Sequence, residues 1–102
     1  GLWAQLRLLE AGGGLRAPGD SVLLSCRAFD YSFETYGVRW YRQAPGGKLE
    51  WVSYISYDCS LIKLGQSVKG RGAVSRDNSQ SESSLNLRAL HPRDSARYFC
   101  AI

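Results

Sequence analysis

The sequence lacks long apolar segments and is poor in the residues that build metal and catalytic sites. It has 102 residues, among them one histidine, three prolines and three cysteines. No apolar run approaches the ~18 residues that span a bilayer, so we expect no membrane insertion within this chain. Three prolines beside eleven glycines exclude collagen-like and proline-rich disordered chains. With these classes excluded, the composition indicates a folded globular domain.

Length and charge describe one small domain with a solvated surface. A chain of this length leaves no room for a second domain, and its core stabilises the fold only marginally, so a covalent cross-link would help. Thirteen Lys and Arg against nine Asp and Glu give a net charge of +4. Because the basic residues are spread from Arg7 to Arg97 without a block, we expect no nucleic-acid partner.

The single histidine, His91, gives little support to catalysis or metal binding. It stands beside Pro92 in a turn-like segment, and no CxxC spacing accompanies it. The glycine run 12–14 indicates a break in a strand, because it does not stand between a strand and a helix as a phosphate-binding loop does. We therefore predict no enzyme activity, no cofactor and no metal.

The three cysteines differ in their surroundings. Cys26 and Cys100 each follow an apolar, β-prone run, whereas Cys59 lies in the loop-like segment 56–60. We therefore predict a disulfide between Cys26 and Cys100. The loop that it closes would give roughly 4 kcal/mol of stabilisation through chain entropy. Such a cross-link indicates an oxidising compartment. Because the number of cysteines is odd, Cys59 is left without a partner in this prediction.

Short β-prone runs separated by turn residues follow one another along the chain, without a long helical pattern. Many short strands at this spacing favour an all-β sandwich or barrel. The first four residues, 1–4, form an extension, either the end of a signal peptide or a linker remnant, and the domain covers 5–102. The predicted strands are 5–10, 21–28, 38–43, 49–56, 62–64, 73–76, 84–87 and 96–102.

The order of Cys26, Trp40 and the pair Tyr98 and Cys100 resembles the framework of immunoglobulin variable domains. Further stretches are similar to an antibody heavy-chain variable domain, and the resemblance extends from Gln5 to Ala101. It implies an immunoglobulin V-type antiparallel β-sandwich, secreted or on a cell surface. The similar stretches are 10–15, 24–26, 42–46, 49–53, 67–71 and 75–79.

The resemblance also implies structural roles for single residues. Trp40 would pack against the disulfide between the two sheets, where its indole fills the centre of the core. Tyr98 would form the tyrosine corner, in which its hydroxyl bonds to the upstream backbone. Arg71 and Asp94 would form an ion pair that closes the lower end of the sandwich, and breaking it would strand a buried charge.

Two framework positions depart from the family pattern. Gly72 and Ser83 stand where the family has apolar side chains, which predicts voids in the core. We expect other apolar side chains to fill them, the candidates being Trp3, Leu23 and Phe29. The sequence reaches Ile102 before the family's third hypervariable loop and final (G) strand. We expect the strand with Cys100 at a sheet edge unless the rest of the chain or another segment supplies its neighbour.

The positions that face a light chain in the family are mixed. Tyr41 resembles unpaired single-domain antibodies, whereas Leu49 and Trp51 keep an apolar pairing face. Arg39 is an unusual cation near the same face. An unpaired or atypically paired domain is therefore favoured over a conventional heavy–light pair, the other partner being a light-chain-like or other variable domain.

The resemblance places recognition in loops at about 30–39 and 54–63. Tyrosine supplies a large contact area at low entropic cost, which suits antigen binding. Cys59 occupies a loop tip where the family commonly has Gly, and three interpretations stay open: a disulfide to the third loop, an attachment point, or a free thiol. The candidate contact residues are Tyr31, Thr35, Tyr36, Arg39, Tyr54, Tyr57, Asp58, Cys59, Leu61 and Ile62.

The function that the resemblance implies is recognition of a protein antigen or other ligand by a heavy-chain-like variable domain. The alternative is the variable domain of an unconventional T-cell receptor, such as a marsupial mu-type chain. Another immune-receptor variable domain that binds an invariant protein partner belongs to the same alternative. The scaffold alone does not distinguish these roles, because one fold serves many functions.

Overall fold

The computed structural model describes the backbone of residues 6–9 and all of residues 16–29 and 31–102. The predicted extension 1–4, the glycine run 12–14 and Asp30 of the first loop lie outside the described residues. So does Trp3, one of the candidates for filling the core.

The described chain forms eight strands, and each lies where the sequence predicts one, with ends that match or differ by at most two residues. Three short 3₁₀ turns, Phe33–Thr35, Gln66–Val68 and Pro92–Asp94, connect them. The last turn falls in the segment around His91. The strands are β1 (Leu6–Leu9), β2 (Val22–Ala28), β3 (Val38–Gln43), β4 (Leu49–Ile55), β5 (Ile62–Leu64), β6 (Gly72–Asp77), β7 (Glu82–Leu87) and β8 (Arg97–Ala101).

The strands form two antiparallel four-stranded sheets, in the orders β1-β2-β7-β6 and β5-β4-β3-β8. Buried side chains from both sheets make one core. The predicted hairpin of β6 and β7 is present, and β8 pairs with β3 at the edge of its sheet within the described chain. The fold is the V-type antiparallel β-sandwich expected from the sequence. No helix in the described chain is long and apolar enough to cross a membrane.

A disulfide and an indole hold the two sheets together at the centre of the core. Cys26 of β2 is bonded to Cys100 of β8, with the two Cα atoms 6.4 Å apart. Trp40 lies opposite Cys100 in the register of β3 and β8, and both are buried. A bulge in β4 opposite Trp40 turns the consecutive residues Val52 and Ser53 both inward. The predicted cross-link is thus confirmed.

At Ser83, where the sequence predicts a void, the structure shows a polar contact to the core tryptophan. The Ser83 hydroxyl accepts a hydrogen bond from the Trp40 indole Nε1 at 3.2 Å and donates to the Ser75 carbonyl at 2.9 Å. A polar link therefore replaces apolar packing, and it satisfies an indole N–H that would otherwise be buried without a partner.

Two of the three candidates for filling the core do not fill it, and the third, Trp3, lies outside the described residues. Leu23 and Phe29 expose 48% and 65% of their surface, so neither packs into the interior. At Gly72, a Cβ atom would meet Val68 at ordinary contact distances of 3.4–3.7 Å. Val68 is itself fully buried and covers the position where the family's side chain begins.

A buried carboxylate closes the lower end of the sandwich. Asp94 forms the expected ion pair with Arg71, through contacts of 2.8 and 3.0 Å, and Arg42 donates to the same carboxylate at 2.8 Å. The Tyr98 hydroxyl donates to the Asp94 backbone carbonyl at 2.8 Å, which is the geometry of a tyrosine corner. Arg42 also pairs with Glu50. No sequence motif indicated that Arg42 joins this cluster.

The cluster shifts the pKa values of its members. Burial alone would raise the pKa of Asp94, but hydrogen bonds from Arg71, the His91 backbone N–H and Arg42 outweigh it and hold this pKa well below its usual range. Burial would lower the pKa of Arg42, and its bonds to Glu50, Tyr98 and Asp94 raise it instead. Asp94 therefore stays ionised, and its charge stabilises the fold.

Asp94→Asn is expected to lower the free energy of unfolding at pH 7 by about 3–5 kcal/mol, because two arginines lose their shared buried anion. The folded pKa of Asp94 lies below the unfolded value of about 3.9, so its contribution is complete above that pH and is lost as the pH falls further. Urea unfolding at several pH values from 7 to 2 gives the free energy of unfolding of the original chain and of Asp94→Asn. The difference between these two free energies should narrow below about pH 4.

Glu34→Gln, which neutralises an exposed carboxylate, is the control and should follow the original chain at every pH. A difference between Asp94→Asn and the original chain that stays constant down to pH 2 would contradict a stabilising role for the ionised carboxylate.

Candidate functional site

Two loops meet at one end of the sandwich, which we call the loop end. It consists of residues 29 and 31–37, between β2 and β3, and residues 56–61, between β4 and β5. The predicted recognition segments 30–39 and 54–63 extend into the strands, because β3 begins at Val38, β4 ends at Ile55 and β5 begins at Ile62. The candidates Arg39 and Tyr54 lie on strands, in agreement with the predicted strands 38–43 and 49–56.

The first loop is anchored by a buried aromatic ring. Phe33 is almost fully buried and starts the 3₁₀ turn, whose Thr35 hydroxyl donates to the Ser32 carbonyl at 2.7 Å. Tyr36 is half-buried and packs against the core, so only part of this candidate is available for contact. Tyr31 is fully exposed. Of the three candidates in this loop, Tyr31 thus has the most surface to offer a ligand.

The second loop is a tight polar turn built around Asp58. One carboxylate oxygen accepts hydrogen bonds from the Ser60 hydroxyl at 2.7 Å, the Ser60 backbone N–H at 3.1 Å and the Ser56 hydroxyl at 3.0 Å. The bonds from Ser60, followed by that from Ser56, lower the pKa of Asp58. This candidate contact residue therefore also shapes its own loop.

Cys59 lies at the tip of that turn with a φ of 65°, a left-handed conformation that favours glycine. Its thiol is exposed and unpaired among the described residues. The positive φ agrees with the family's use of Gly here. A disulfide to a third loop stays a prediction.

The remaining candidates of the second loop form an exposed apolar rim. Tyr57, Leu61 and Ile62 expose 55%, 46% and 48% of their surface. None is buried in the framework, so these side chains can contact a partner through their apolar atoms.

Arg76 of β6 ties the two loops together, a role that no sequence signal suggested. Its guanidinium donates to the Phe33 carbonyl at 3.0 Å in the first loop and to the Ser56 carbonyl at 2.9 Å in the second. The same group lies over the Phe33 ring, 4.6 Å from its centroid. Its Nε bonds to Asn78, whose amide donates to the Tyr57 carbonyl. Burial lowers the pKa of Arg76.

Arg39 and Tyr54 form a stacked pair beside the loops. The guanidinium carbon of Arg39 lies 5.0 Å from the centroid of the Tyr54 ring, and the two residues are opposite each other in β3 and β4. Arg39 is exposed, and Tyr54 is half-buried. This pair joins the first and second recognition segments on the outer face of the sheet.

The predicted partner-domain face lies on the outer side of the same sheet. Tyr41 stacks on Phe99 of β8 with ring centroids 6.1 Å apart, while Leu49 and Trp51 expose 51% and 38% of their surface. Lys48 is exposed beside Leu49, and the Gln43 side chain donates to the Gly47 carbonyl. The face thus combines apolar groups with a charge.

Nothing in the described part of the chain gathers three or more His, Cys, Asp or Glu side chains into a metal site. The one buried carboxylate among the described residues, Asp94, is hydrogen-bonded to two arginines at the lower end of the sandwich and so lies away from the loop end. The geometry therefore supports binding by surface contact, through exposed aromatic, apolar and cationic groups on a fixed framework.

Comparison with known protein families gives a match over most of the chain. A family model of the immunoglobulin V-set domain matches residues 15–102. The matched range covers strands β2 to β8, both cysteines of the cross-link and both recognition loops. Domains of this family act as binding modules.

Arg76→Lys is expected to loosen the loop end, because lysine keeps the charge but cannot donate to both loops with one planar group. Losing a charge-assisted bond of about 1.5–3 kcal/mol should make amide hydrogen exchange about 10- to 100-fold faster at residues 33–36 and 56–60. Hydrogen exchange read by NMR measures each segment separately.

Arg88→Lys is the matched control, since Arg88 donates to the Gly70 carbonyl outside the loop end. It should leave both loops unchanged. Equal acceleration in the loops and in β3 would show that Arg76 acts on global stability and not on the loops.

Proposed function

The chain belongs to the immunoglobulin V-set domain family, and from that premise we propose that it recognises antigen as an antibody heavy-chain-like variable domain. Recognition is non-covalent and occurs at the loop end. The domain works outside the cell, as a secreted protein or as part of a cell-surface receptor, where its disulfide is stable.

One observation carries the proposal: exposed side chains stand on loops that the framework fixes in place. Tyr31, Tyr57, Leu61 and Ile62 are available to a ligand, and Arg76 bonds to the backbone of both loops that present them. Tyrosine gives large contact area with few rotatable bonds, so little entropy is lost on binding. Fixing the loops beforehand reduces the ordering cost further.

The heavy-chain assignment rests on the sequence stretches around the strands, above all 42–46 and 67–71. Several residues of these stretches stabilise the fold. Arg42 and Arg71 donate hydrogen bonds to Asp94, and Gly46 adopts a φ of 70° in the turn after β3. The competing assignment is a variable domain of an unconventional T-cell receptor, or one that binds an invariant protein.

We propose further that the domain acts unpaired or with an atypical partner. In support, the rings of Tyr41 and Phe99 pack on each other, and Lys48 adds an exposed charge beside Leu49. Desolvating such a charge at the centre of an interface opposes association unless the partner supplies an anion.

Repertoire sequencing tests the antigen proposal. Transcripts with this framework, from lymphocytes of several individuals, should vary at 31–36 and 56–62 several times more often than in β2, β3 and β7, and should continue into an antibody constant region. The strands are the internal control, because substitutions there disturb the core. Fixed loops would favour an invariant partner, and a T-cell-receptor constant region would favour the alternative assignment.

Gel filtration tests the pairing proposal. The chain alone should elute as a monomer, and mixing with a conventional light-chain variable domain should leave its elution unchanged. Lys48→Gly removes the charge and should increase any residual association, because the apolar groups Leu49 and Trp51 remain. A stable one-to-one complex of the original chain would contradict an unpaired state.

A further inference from the structure

Three strands align a cation, an aromatic ring and a second cation on the outer face of one sheet. Arg39 of β3 is opposite Tyr54 of β4, and Tyr54 is opposite Lys63 of β5. Directly opposite residues share a face, and the neighbours Val38, Trp40, Ser53 and Ile55 are buried on the other one. Because neighbouring strands are about 4.8 Å apart, the backbones of Arg39 and Lys63 in this cationic row are separated by roughly 10 Å.

The backbone at Gly37 allows the Tyr54 ring to lie at the centre of the row. A Cβ atom at Gly37 would come within 2.5 Å of the Tyr54 ring, so the ring can lie against the chain there only because residue 37 is glycine. Arg39 in turn stacks over the ring at 5.0 Å. Stacking uses the flat face of the guanidinium and leaves the N–H donors at its edge directed outward.

No acidic side chain of the described chain neutralises the row. The ion pairs among the described residues involve Arg27, Arg42 and Arg71, and none involves Arg39 or Lys63. Asp58, the carboxylate of the second loop, is bonded to Ser56 and Ser60. Two exposed cations are therefore available beside the loops.

We propose that the cationic row binds carboxylates of an acidic protein segment, with Arg39 as a bidentate donor and Lys63 as a second positive charge. The geometry of a guanidinium matches a carboxylate, and the ring holds Arg39 in place before binding. The exposed Ile62 and Tyr57 beside the row favour a segment in which acidic and apolar residues are neighbours. This inference rests on the proposed function and names the chemical class of the antigen.

A nucleic acid fits the row less well. The face of the Tyr54 ring is covered by Arg39, so a base cannot stack on it there. Two cations also give too few phosphate contacts for strong binding to a polyanionic backbone. The observations therefore favour a protein carboxylate over a phosphate chain.

Titration of the ¹⁵N-labelled chain with acetyl-(Glu)₄-amide tests the inference by NMR. Saturable shifts are expected at residues 39, 54 and 63 and at the Arg39 side-chain Nε–H. Acetyl-(Gln)₄-amide, of matched length without charge, should cause none. Arg39→Gln should weaken the binding about 10-fold, since one charge-assisted bidentate contact is lost. Lys69→Gln, at an exposed cation to which no binding role is assigned, should leave it unchanged.

Gly37→Ala supplies an independent variant, because it displaces Tyr54 without removing a charge and should weaken binding several-fold. Binding that is equal in the original chain and Arg39→Gln would overturn the inference. So would shifts centred on Lys48, Arg93 and Arg97, or tighter binding of a thymidine tetranucleotide than of the glutamate peptide.

The outcomes separate this inference from the proposed function. Variable loops in the repertoire together with no binding of acetyl-(Glu)₄-amide would remove the inference and leave antigen recognition standing. Fixed loops together with binding at Arg39 would support an acidic, invariant partner and remove antigen recognition.

Discussion

The rest of the structure depends on the covalent bond between Cys26 and Cys100, which fixes one sheet against the other around Trp40. A domain of this size buries too little surface to hold two sheets firmly by packing alone. The cross-link removes roughly 4 kcal/mol of chain entropy from the unfolded state, a large share of the stability of a small domain. It also fixes the position of the first loop, because that loop begins after β2, which carries Cys26, and ends at β3, which pairs with the strand of Cys100.

Buried and half-buried polar groups complete this framework at three places. Asp94 and its two arginines close the lower end, Ser83 bonds the indole at the centre, and Arg76 holds the loops at the other end. Each group is satisfied by hydrogen bonds, so none carries the cost of a buried group without a partner. Hydrogen bonds depend on direction, so these groups fix the positions of the sheets and loops relative to one another more strictly than apolar packing alone would.

The suitability of the loop end for binding follows from this rigid framework. Because the backbone of both loops is bonded to Arg76, their exposed side chains can face a ligand without first ordering. Within that frame the stacked pair of Arg39 and Tyr54 adds a fixed cation. The same domain therefore offers tyrosine and apolar surface for contact area together with a charge that selects the partner.

The sequence by itself determined the all-β sandwich, its eight strands in the described chain, the disulfide and the ion pair of Arg71 with Asp94, since alternating apolar residues and family motifs are local signals. The tertiary structure decided the bulge in β4, the polar use of Ser83, the loop contacts of Arg76 and the alignment of Arg39 with Tyr54. These features arise where strands distant in sequence meet in one register. Register follows from packing of both sheets at once, so no single segment encodes it.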